Sequence, residues 1–410
     1  MKSSSKNRDR EPMSHEYIND QKGLKKFQKD NSDIKWMGFD TEFVGENRYN
    51  TLLCLIQIQT INGTYLIDTL VLKSINILLK MISDPNILVI SHAGVNDYHI
   101  LYKLYNVLPK NVFDTQIAAG FVDYRYPVSF QKLLKKELGI NISKSYTVTD
   151  WEKRPLGNRQ LQYAINDIIH LKDLYESLSA KLKEKKFTKW ANIEMRKLET
   201  DTYYARDKYH EARQNKLMKN LSVRERIFLM RLYIWRDTTA EEKNKTKEQI
   251  LPKRLMATIV KNIKSGKEAL KDNRTISNRT IERNWVNFKK LYDQEATKEE
   301  HDVAKNIQFI DEVTDDMVLA NEMLFLLVRQ KCAQEGISQA LILQKSQLPK
   351  AQFGDKTLDF LSGWRRSFLG DDFIKLLLNP GTMKMKLTGR KCIVDFEKDP
   401  ATTPAKAAKA

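Results

Sequence analysis

The chain has few cysteines and no long apolar run, and both absences narrow its class. Its 410 residues include only three cysteines, Cys54, Cys332 and Cys392, which stand far apart and form no C-x-x-C pair. Neither a disulfide framework nor a cysteine-ligated zinc site is therefore supported. No apolar run reaches the roughly 18 residues of a membrane-spanning helix, and the polar N-terminus lacks the hydrophobic segment of a secretory signal. We expect a soluble, cytoplasmic protein without a membrane partner.

Acidic residues are fewer than basic ones, and the imbalance lies in one part of the chain. The net charge is +18, from 70 Lys plus Arg against 52 Asp plus Glu. Residues 31–180 carry 15 basic and 15 acidic side chains, whereas residues 181–300 carry 31 and 18. A neutral segment beside a basic one indicates a catalytic core next to a surface for a polyanion. A solvated helix face gives the same charge run, so charge alone leaves both interpretations open.

The order of apolar segments predicts a mixed α/β domain over residues 15–190, preceded by a disordered stretch at 1–14. A helix is predicted over residues 21–29, with Asn19 or Asp20 as its cap. The Asn62-Gly63 turn joins two strands into a hairpin. Strands interleaved with helices indicate an α/β sheet with one antiparallel hairpin and helices on its faces. The predicted strands cover residues 34–43, 52–59, 64–68, 87–90 and 112–114.

After residue 189 the pattern is helical, and no strand is predicted before residue 384. We interpret residues 215–296 and 312–396 as two helical modules and residues 397–410 as a low-complexity tail. Ser222 and Glu225 form a capping box, and apolar residues then recur on one helix face. The second module is expected to end in a hairpin around Thr388-Gly389.

Two carboxylates stand inside the first apolar strand. Asp40 and Glu42 are two residues apart, so in an extended chain both point to the same face of the sheet. Close together and desolvated, they would repel each other unless one took up a proton or a cation lay between them. Two solvated acids on an edge strand are the alternative interpretation.

Two further acids stand where a metal site could use them. Asp97 begins a helix after an apolar strand, at the strand end where α/β sheets place ligand sites. Asp167 follows Tyr163 by four residues, so the two share a helix face. Alone, an acid at a helix start is usually a helix cap. A Tyr/Asp pair at this spacing, alone, is usually a surface hydrogen bond.

Together, these residues form an ordered set: Asp-x-Glu on a first strand, Asp after a later strand, and Tyr-x-x-x-Asp on a late helix. The set resembles the 3′-5′ exonucleases with four metal-binding carboxylates and a tyrosine, and among them the ribonuclease D family. Trp235-Arg236-Asp237 and Leu361-Ser362-Gly363-Trp364-Arg365-Arg366 resemble the HRDC modules that follow the nuclease in that family. The other matching motifs are Phe39-Asp40-Thr41-Glu42-Phe43, Leu55-Ile56-Gln57, His92-Ala93-Gly94, Phe113-Asp114-Thr115-Gln116, Thr149-Asp150-Trp151, Arg154-Pro155-Leu156 and Gln160-Leu161-Gln162-Tyr163-Ala164.

The resemblance implies an RNase H-like exonuclease domain followed by two all-α HRDC-type modules. It implies two divalent cations, Mg²⁺ or Mn²⁺, because the ligands are all oxygens. In this scheme Asp40 bridges both ions, and Glu42 and Asp167 complete the site of the attacking water. Asp97 supports the second ion, largely through water, and Tyr163 orients the attacking water. The implied reaction is hydrolysis of the terminal phosphodiester at a free 3′ end, with release of nucleoside 5′-monophosphates.

Substrate contacts are less well defined by the sequence. His92 either touches the terminal nucleotide or holds backbone, Gln57 either lines the pocket or is structural, and Thr41 is a further candidate. The expected partner is RNA with a free 3′ end, such as a tRNA precursor, and the expected oligomeric state is a monomer.

Three alternatives to an exoribonuclease of the ribonuclease D type stay open. They are a 3′-5′ DNA exonuclease, a non-catalytic RNA-binding scaffold, and a nuclear homologue associated with the exosome. The signature expected of the scaffold, loss of a carboxylate, is absent. A helicase is disfavoured because the chain has no G-x-x-x-x-G-K-[ST] motif.

Overall fold

The computed structural model describes residues 15–142, 149–205, 207–307 and 314–379, together with the backbone of residues 383–388 and 391–396. The segments predicted to be disordered or of low complexity, 1–14 and 397–410, lie outside the described residues. Among the described helices, none is both long and apolar enough to cross a membrane.

A six-stranded mixed sheet forms the first part of the chain. Its spatial order is β1-β4-β3-β2-β5-β6; β3 runs antiparallel to β2 and β4, and the other pairs are parallel. This sheet, followed by helices, confirms the predicted fold class. The strands are β1 (His15–Ile18), β2 (Trp36–Val44), β3 (Leu52–Thr60), β4 (Gly63–Asp68), β5 (Leu88–Ser91) and β6 (Val112–Asp114).

Eight helices accompany this sheet in the described part of the chain. Asp20 caps the first of them by accepting a hydrogen bond from the Gly23 backbone N–H at 2.6 Å, which confirms the predicted helix start. The helices are α1 (Gln21–Asp30), α2 (Asn76–Ile82), α3 (Val95–Tyr105), α4 (Thr115–Ala119), α5 (Phe130–Glu137), α6 (Asn158–Asn166), α7 (Leu171–Glu184) and α8 (Thr188–Arg196).

The rest of the chain is helical up to a final hairpin, as predicted. The Ser222–Glu225 capping box begins α11, and Phe228 and Leu232 are buried on that helix. Pro252 precedes a 3₁₀ turn, Lys253–Leu255, rather than an α-helix. The helices are α9 (Asp201–Tyr204), α10 (His210–Arg213), α11 (Val223–Glu242), α12 (Lys247–Ile250), α13 (Met256–Asn262), α14 (Gly266–Lys271), α15 (Asn278–Asp293), α16 (Lys298–Lys305), α17 (Asp315–Glu335), α18 (Gln339–Ile342), α19 (Gln347–Gln352), α20 (Gly363–Leu369) and α21 (Asp371–Leu378).

The final hairpin pairs β7 (Met383–Thr388) with β8 (Lys391–Phe396) in antiparallel register, with Thr388 opposite Lys391. This confirms the predicted hairpin, whose turn lies outside the described residues. The pairing is antiparallel, as a short connection between two strands requires.

The chain divides into two compact units. The first takes its described residues from 1–115, 134–177 and 192–309, and the second from 116–133, 178–191 and 310–410. In the second unit an aromatic cluster forms the core, with the Trp190 and Trp364 ring centroids 5.6 Å apart and those of Phe121 and Trp364 5.1 Å apart. The domain boundaries at residues 190, 215, 296 and 312 stay predictions, and residues 116–133 and 178–190 of the predicted nuclease domain lie in the second unit.

Candidate active site

Two neighbouring acids of β2 and one acid at the end of α6 come together beside the sheet. Asp40, Glu42 and Asp167 each offer a carboxylate oxygen, and these three atoms lie within 4.8 Å of one another. Asp40 stands opposite Gln57 of β3, and a bulge follows between Glu42 and Phe43. The extended strand places both of its acids on one face, as the spacing predicts.

Tyr163 and Asp167 are brought to this face by α6. Asp167 is the C-cap residue of that helix, and its backbone N–H donates to the Tyr163 carbonyl at 3.2 Å. The Tyr163 hydroxyl also donates a hydrogen bond to the Asp167 carboxylate. The Tyr163 ring packs on Trp151, with centroids 6.2 Å apart. The four-residue spacing therefore produces the contact that the sequence suggests.

Asp97 occupies a different position from the other three acids. It lies in the first turn of α3, is 7% exposed, and accepts a hydrogen bond from the Thr41 hydroxyl. Phe39 and Tyr98 stack at 5.9 Å and pack α3 against β2. Thr41 alternates with Asp40 and Glu42 along the strand, so Asp97 approaches β2 beside the three-acid group and not within it. The Thr41 side chain thus holds Asp97.

Burial and mutual repulsion make this cluster costly to ionise. Burial first, and then the charges of Asp97, Asp167 and Glu42, raise the pKa of Asp40 well above its usual range. Burial and the charges of Asp167 and Asp97 raise the pKa of Glu42 to about 9. Burial raises the pKa of Asp97 to about 7 although the Thr41 hydrogen bond acts in the opposite direction. The pKa of Asp167 rises to about 7 for the same reason, and Tyr163 opposes the rise.

This arrangement fits divalent cations. All donors are carboxylate oxygens, the ligand type that Mg²⁺ and Mn²⁺ prefer, and three of them converge within bridging distance. A cation between the carboxylates would offset the repulsion that raises their pKa values. Asp40, Glu42 and Asp167 are the residues that would hold it.

His92 belongs to a rigid turn beside the cluster. The Thr115 hydroxyl donates its one hydrogen to the Ser91 carbonyl at 3.0 Å. The same hydroxyl contacts His92 Nδ1 at 2.9 Å, and there the ring nitrogen is the donor. The Ala93 and Gly94 backbone N–H groups donate to the buried Asp114 carboxylate at 3.2 and 2.8 Å. A Cβ on Gly94 would stand 2.6 Å from Ser91 Oγ, so only glycine fits. The turn thus fixes the position of His92.

Gln57 is buried without a hydrogen-bonding partner. Its side chain is 0% exposed, and neither amide atom has a partner within the described residues. It shares a face with Asp40, its opposite residue on β2. Burying an unpaired amide costs about 1–3 kcal/mol. An amide held here against that cost is typical of a group that binds a ligand or a water in the site.

Replacing Gln57 with leucine is expected to separate stability from activity. Gln57→Leu should unfold at the same temperature or higher, because it removes an unpaired buried amide. Its turnover should fall by about 10-fold or more, the effect of losing one hydrogen bond to a charged or reacting group. Thermal unfolding and a 3′-end degradation assay measure the two effects.

Gln59 provides the matched control for this substitution. Among the described residues its amide oxygen is unpaired like both amide atoms of Gln57, but its amide nitrogen donates to the Ile169 carbonyl at 3.1 Å, so Gln59→Leu should lose up to about 1 kcal/mol of unfolding free energy. If Gln57→Leu is destabilised to the same extent and keeps full activity, Gln57 has only a structural role.

An ion pair behind the cluster supports α6. Arg154 Nε and Nη2 donate to the two Asp68 oxygens at 2.5 and 2.8 Å, and Nη1 donates to the Trp151 carbonyl at 2.7 Å. Burial acts to raise the pKa of Asp68, but hydrogen bonds from Arg154 and Tyr17 outweigh it and hold the pKa below its usual range. Trp151 and Ala164 of α6 belong to the same buried group of hydrophobic side chains, so the ion pair holds the residue on which α6 packs.

Replacing Arg154 with alanine is expected to destabilise the protein by about 2–4 kcal/mol, because it leaves the Asp68 carboxylate, 2% exposed, without its cation. Because the pKa of Asp68 is lowered in the folded state, the pair stabilises at neutral pH, and its contribution disappears as the pH falls through that pKa. Urea unfolding at pH 7 and at pH 3 should therefore show a smaller difference from wild type at pH 3. When Asp68→Asn is already present, Arg154→Ala should lower the unfolding free energy by less than it does in the wild type. An additive double variant would contradict the pairing.

The sequence prediction missed two members of this support, Asp68 and Tyr17. Tyr17 donates its hydroxyl to Asp68 at 2.5 Å, and both residues lie far from Arg154 in the chain. No local pattern marks such a contact. The structure brings the predicted residues together around β2, and their individual roles stay predictions.

Comparisons with known proteins agree with this geometry. A family model described as 3′-5′ exonuclease matches residues 15–183. Ribonuclease D of Desulfotalea psychrophila is 29% identical over 347 residues, covering 82% of this chain and 91% of the relative. Ribonuclease D of Bartonella henselae is 27% identical, covering 85% and 86%.

A solved structure shares the fold along most of the chain. The crystal structure of Escherichia coli RNase D, described as an exoribonuclease involved in structured RNA processing, has a TM-score of 0.76 at 22% identity and covers 89% of this chain and 99% of its own. The chain therefore resembles the ribonucleases D along most of its length, and its residues 15–183 match a family of 3′-5′ exonucleases.

Proposed function

We propose that the protein is a 3′-5′ exoribonuclease of the ribonuclease D type that releases nucleoside 5′-monophosphates from free 3′ ends. One observation carries this proposal: three carboxylates from β2 and the end of α6 converge within 4.8 Å inside a 3′-5′ exonuclease domain, and Tyr163 is hydrogen-bonded to one of them. The carboxylates that would hold the cations and the hydroxyl that would orient the water thus stand together.

Two divalent cations, Mg²⁺ or Mn²⁺, are the proposed cofactors. Asp40, Glu42 and Asp167 would hold them, and Asp97 supports the site from the Thr41 side. When bound, such ions stabilise the charge on a transferring phosphate and lower the pKa of a bound water. The protein contributes a cluster that is already assembled, and in the absence of the ions protons bound by its buried carboxyl groups offset the repulsion between them.

Tyr163 is proposed as a positioning group and not as a base. Burial and the charges of Asp167, Glu42 and Asp40 raise the pKa of its phenol above the usual value. The hydroxyl therefore keeps its proton at neutral pH and acts as a hydrogen-bond donor. It donates to Asp167, and it can hold an attacking water at a defined place beside the scissile phosphate. His92, fixed through Thr115, is proposed to contact the terminal nucleotide.

The proposed substrates are structured RNAs with single-stranded 3′ extensions, such as tRNA precursors. Support comes from the excess of positive charge in residues 181–300 and from the ribonucleases D that the chain resembles. Two HRDC-type modules, a monomeric state and a cytoplasmic location remain part of the proposal.

A time course on two substrates tests the function. A 3′-extended tRNA and a single-stranded DNA of matched length, both labelled at the 5′ end, are incubated with Mg²⁺, Mn²⁺ or EDTA. Stepwise, cation-dependent shortening of the RNA, much faster than that of the DNA, is expected. Equal rates on both would overturn the RNA assignment. Binding without cleavage under every condition would show a scaffold and not an enzyme.

A further inference from the structure

A pocket lined by cationic and aromatic side chains lies in the second unit, and none of the carboxylates of the candidate active site lines it. Its cavity volume is about 920 Å³, and its walls come from residues 123–126 and from α17 and the segment after it. We infer that this pocket binds a nucleotide of single-stranded RNA through Arg125 and Arg329. The inference rests on the proposed RNA substrate, which the experiment below tests separately.

The two arginines have no anionic partner in the part of the chain that the structure describes. Both line the pocket and are exposed, and within the described residues neither takes part in a salt bridge or a side-chain hydrogen bond. The only acid in the lining, Asp123, is paired with Lys185 at 2.9 Å. Two guanidinium groups without an acidic partner in one cavity leave a net positive charge there. A planar guanidinium binds phosphate through two parallel hydrogen bonds.

Aromatic side chains stand beside these cations. Tyr124 and Tyr126 flank Arg125 in sequence, and Phe325 precedes Arg329 by one helical turn on α17, so the two project from the same face. Rings next to cations in an open cavity are the usual means of binding single-stranded nucleic acid, since bases stack on the rings while the cations hold the backbone. The cavity is large enough for one nucleotide, within the range of ordinary ligand pockets.

The wall that carries Arg125 is held in place before any ligand arrives. The Asp123 backbone N–H donates to the Gly336 carbonyl at 2.8 Å, and the Tyr126 N–H donates to Ser338 Oγ at 2.8 Å. The Ser338 N–H donates in turn to the Gly120 carbonyl at 2.7 Å. Arg125 thus lies between two residues that are bonded to the opposite wall, so little backbone ordering is needed on binding.

The test measures RNA binding by a chain that does not cleave. Asp40→Asn serves as the parent, in EDTA, with a fluorescein-labelled single-stranded RNA of 20 nucleotides, and anisotropy titrations at several KCl concentrations give Kd and its salt dependence. Adding Arg125→Gln and Arg329→Gln should weaken binding by about 10-fold or more. It should also lower the slope of log Kd against log salt by about 1.4, the value for two lost phosphate contacts on a single strand. Phe325→Leu should weaken binding without changing the slope.

Arg366 supplies the matched control. It is an exposed arginine of the same unit, but its guanidinium is paired with Asp371 at 2.7 Å, so Arg366→Gln should leave Kd and slope unchanged. In the cleaving chain, the two pocket substitutions should raise KM for the 20-nucleotide RNA and leave kcat unchanged. A double variant that binds RNA like its parent would overturn the inference about the pocket and leave the proposed RNA substrate unaffected. A parent that does not bind RNA would overturn both the pocket and the proposed RNA substrate.

Discussion

Replacing Asp40 with asparagine is expected to lower the rate of RNA hydrolysis by at least about 10³-fold. Removing even an outer partner of a metal ligand costs about 10–100-fold, and Asp40 belongs to the three-acid group itself. The side-chain volume is kept, so the fold and RNA binding should survive. Rates of 3′-end shortening with saturating Mg²⁺, together with RNA binding by anisotropy, measure the two effects.

The same substitution should stabilise the cation-free protein. Burial and three neighbouring carboxylates raise the pKa of Asp40, so a neutral asparagine removes a group that is costly to ionise. In EDTA at pH 8, Asp40→Asn should unfold at a higher temperature than wild type. Asp33→Asn, at an exposed aspartate outside the cluster, should change neither activity nor unfolding temperature. Full activity of Asp40→Asn would show that the cluster is not the catalytic site.

Removing divalent cations is expected to abolish hydrolysis and to make the stability of the folded protein depend on pH. The pKa values of Asp97 and Asp167 are about 7 and that of Glu42 is about 9 in the folded chain, whereas unfolded carboxyl groups titrate near pH 4. Between these values the folded state binds protons that the unfolded state has lost. As far as this cluster decides it, the stability of the cation-free protein should therefore be greatest at and below about pH 4, and it should fall as the pH rises from there through 7 towards 9.

Bound cations replace those protons, so their stabilising effect should grow with pH. At a cation concentration about 100 times Kd the gain is about 2.7 kcal/mol. Thermal unfolding with and without Mn²⁺ should show a larger increase in Tm at pH 8.5 than at pH 5.5. At each pH the Tm without Mn²⁺ is subtracted from the Tm with Mn²⁺. This subtraction cancels the contributions of other groups that titrate in this range. An equal increase at both pH values would contradict the assignment of the cluster as the cation site.

Several local features follow directly from the sequence. The alternation of side chains along an extended strand places Asp40 and Glu42 on one face, and the four-residue spacing brings Tyr163 to Asp167. Asp20 and Ser222 cap their helices as their types predict. In each case the two partners stand within a few residues of each other, so backbone geometry alone decides whether they meet.

Other expectations depended on distant partners and were only partly met. The four-residue strand β1 was not predicted, because it is too short to show a pattern and is held by pairing with β4. Asp97, expected to support the second ion largely through water, is held by Thr41 beside the three-acid group, and its role stays a prediction.

The sequence by itself determined the kinds of residue at the site, their order, and the faces of the strand and helix that carry them. Only the tertiary structure decided which of them meet, because contacts between residues such as Asp40 and Asp167, or Asp68 and Arg154, depend on how the sheet and its helices pack. The same is true of the pocket that contains Arg125 and Arg329, whose two walls are about 200 residues apart in the chain. Local geometry acts over one or two turns, whereas burial and charge act between whatever residues the fold brings together.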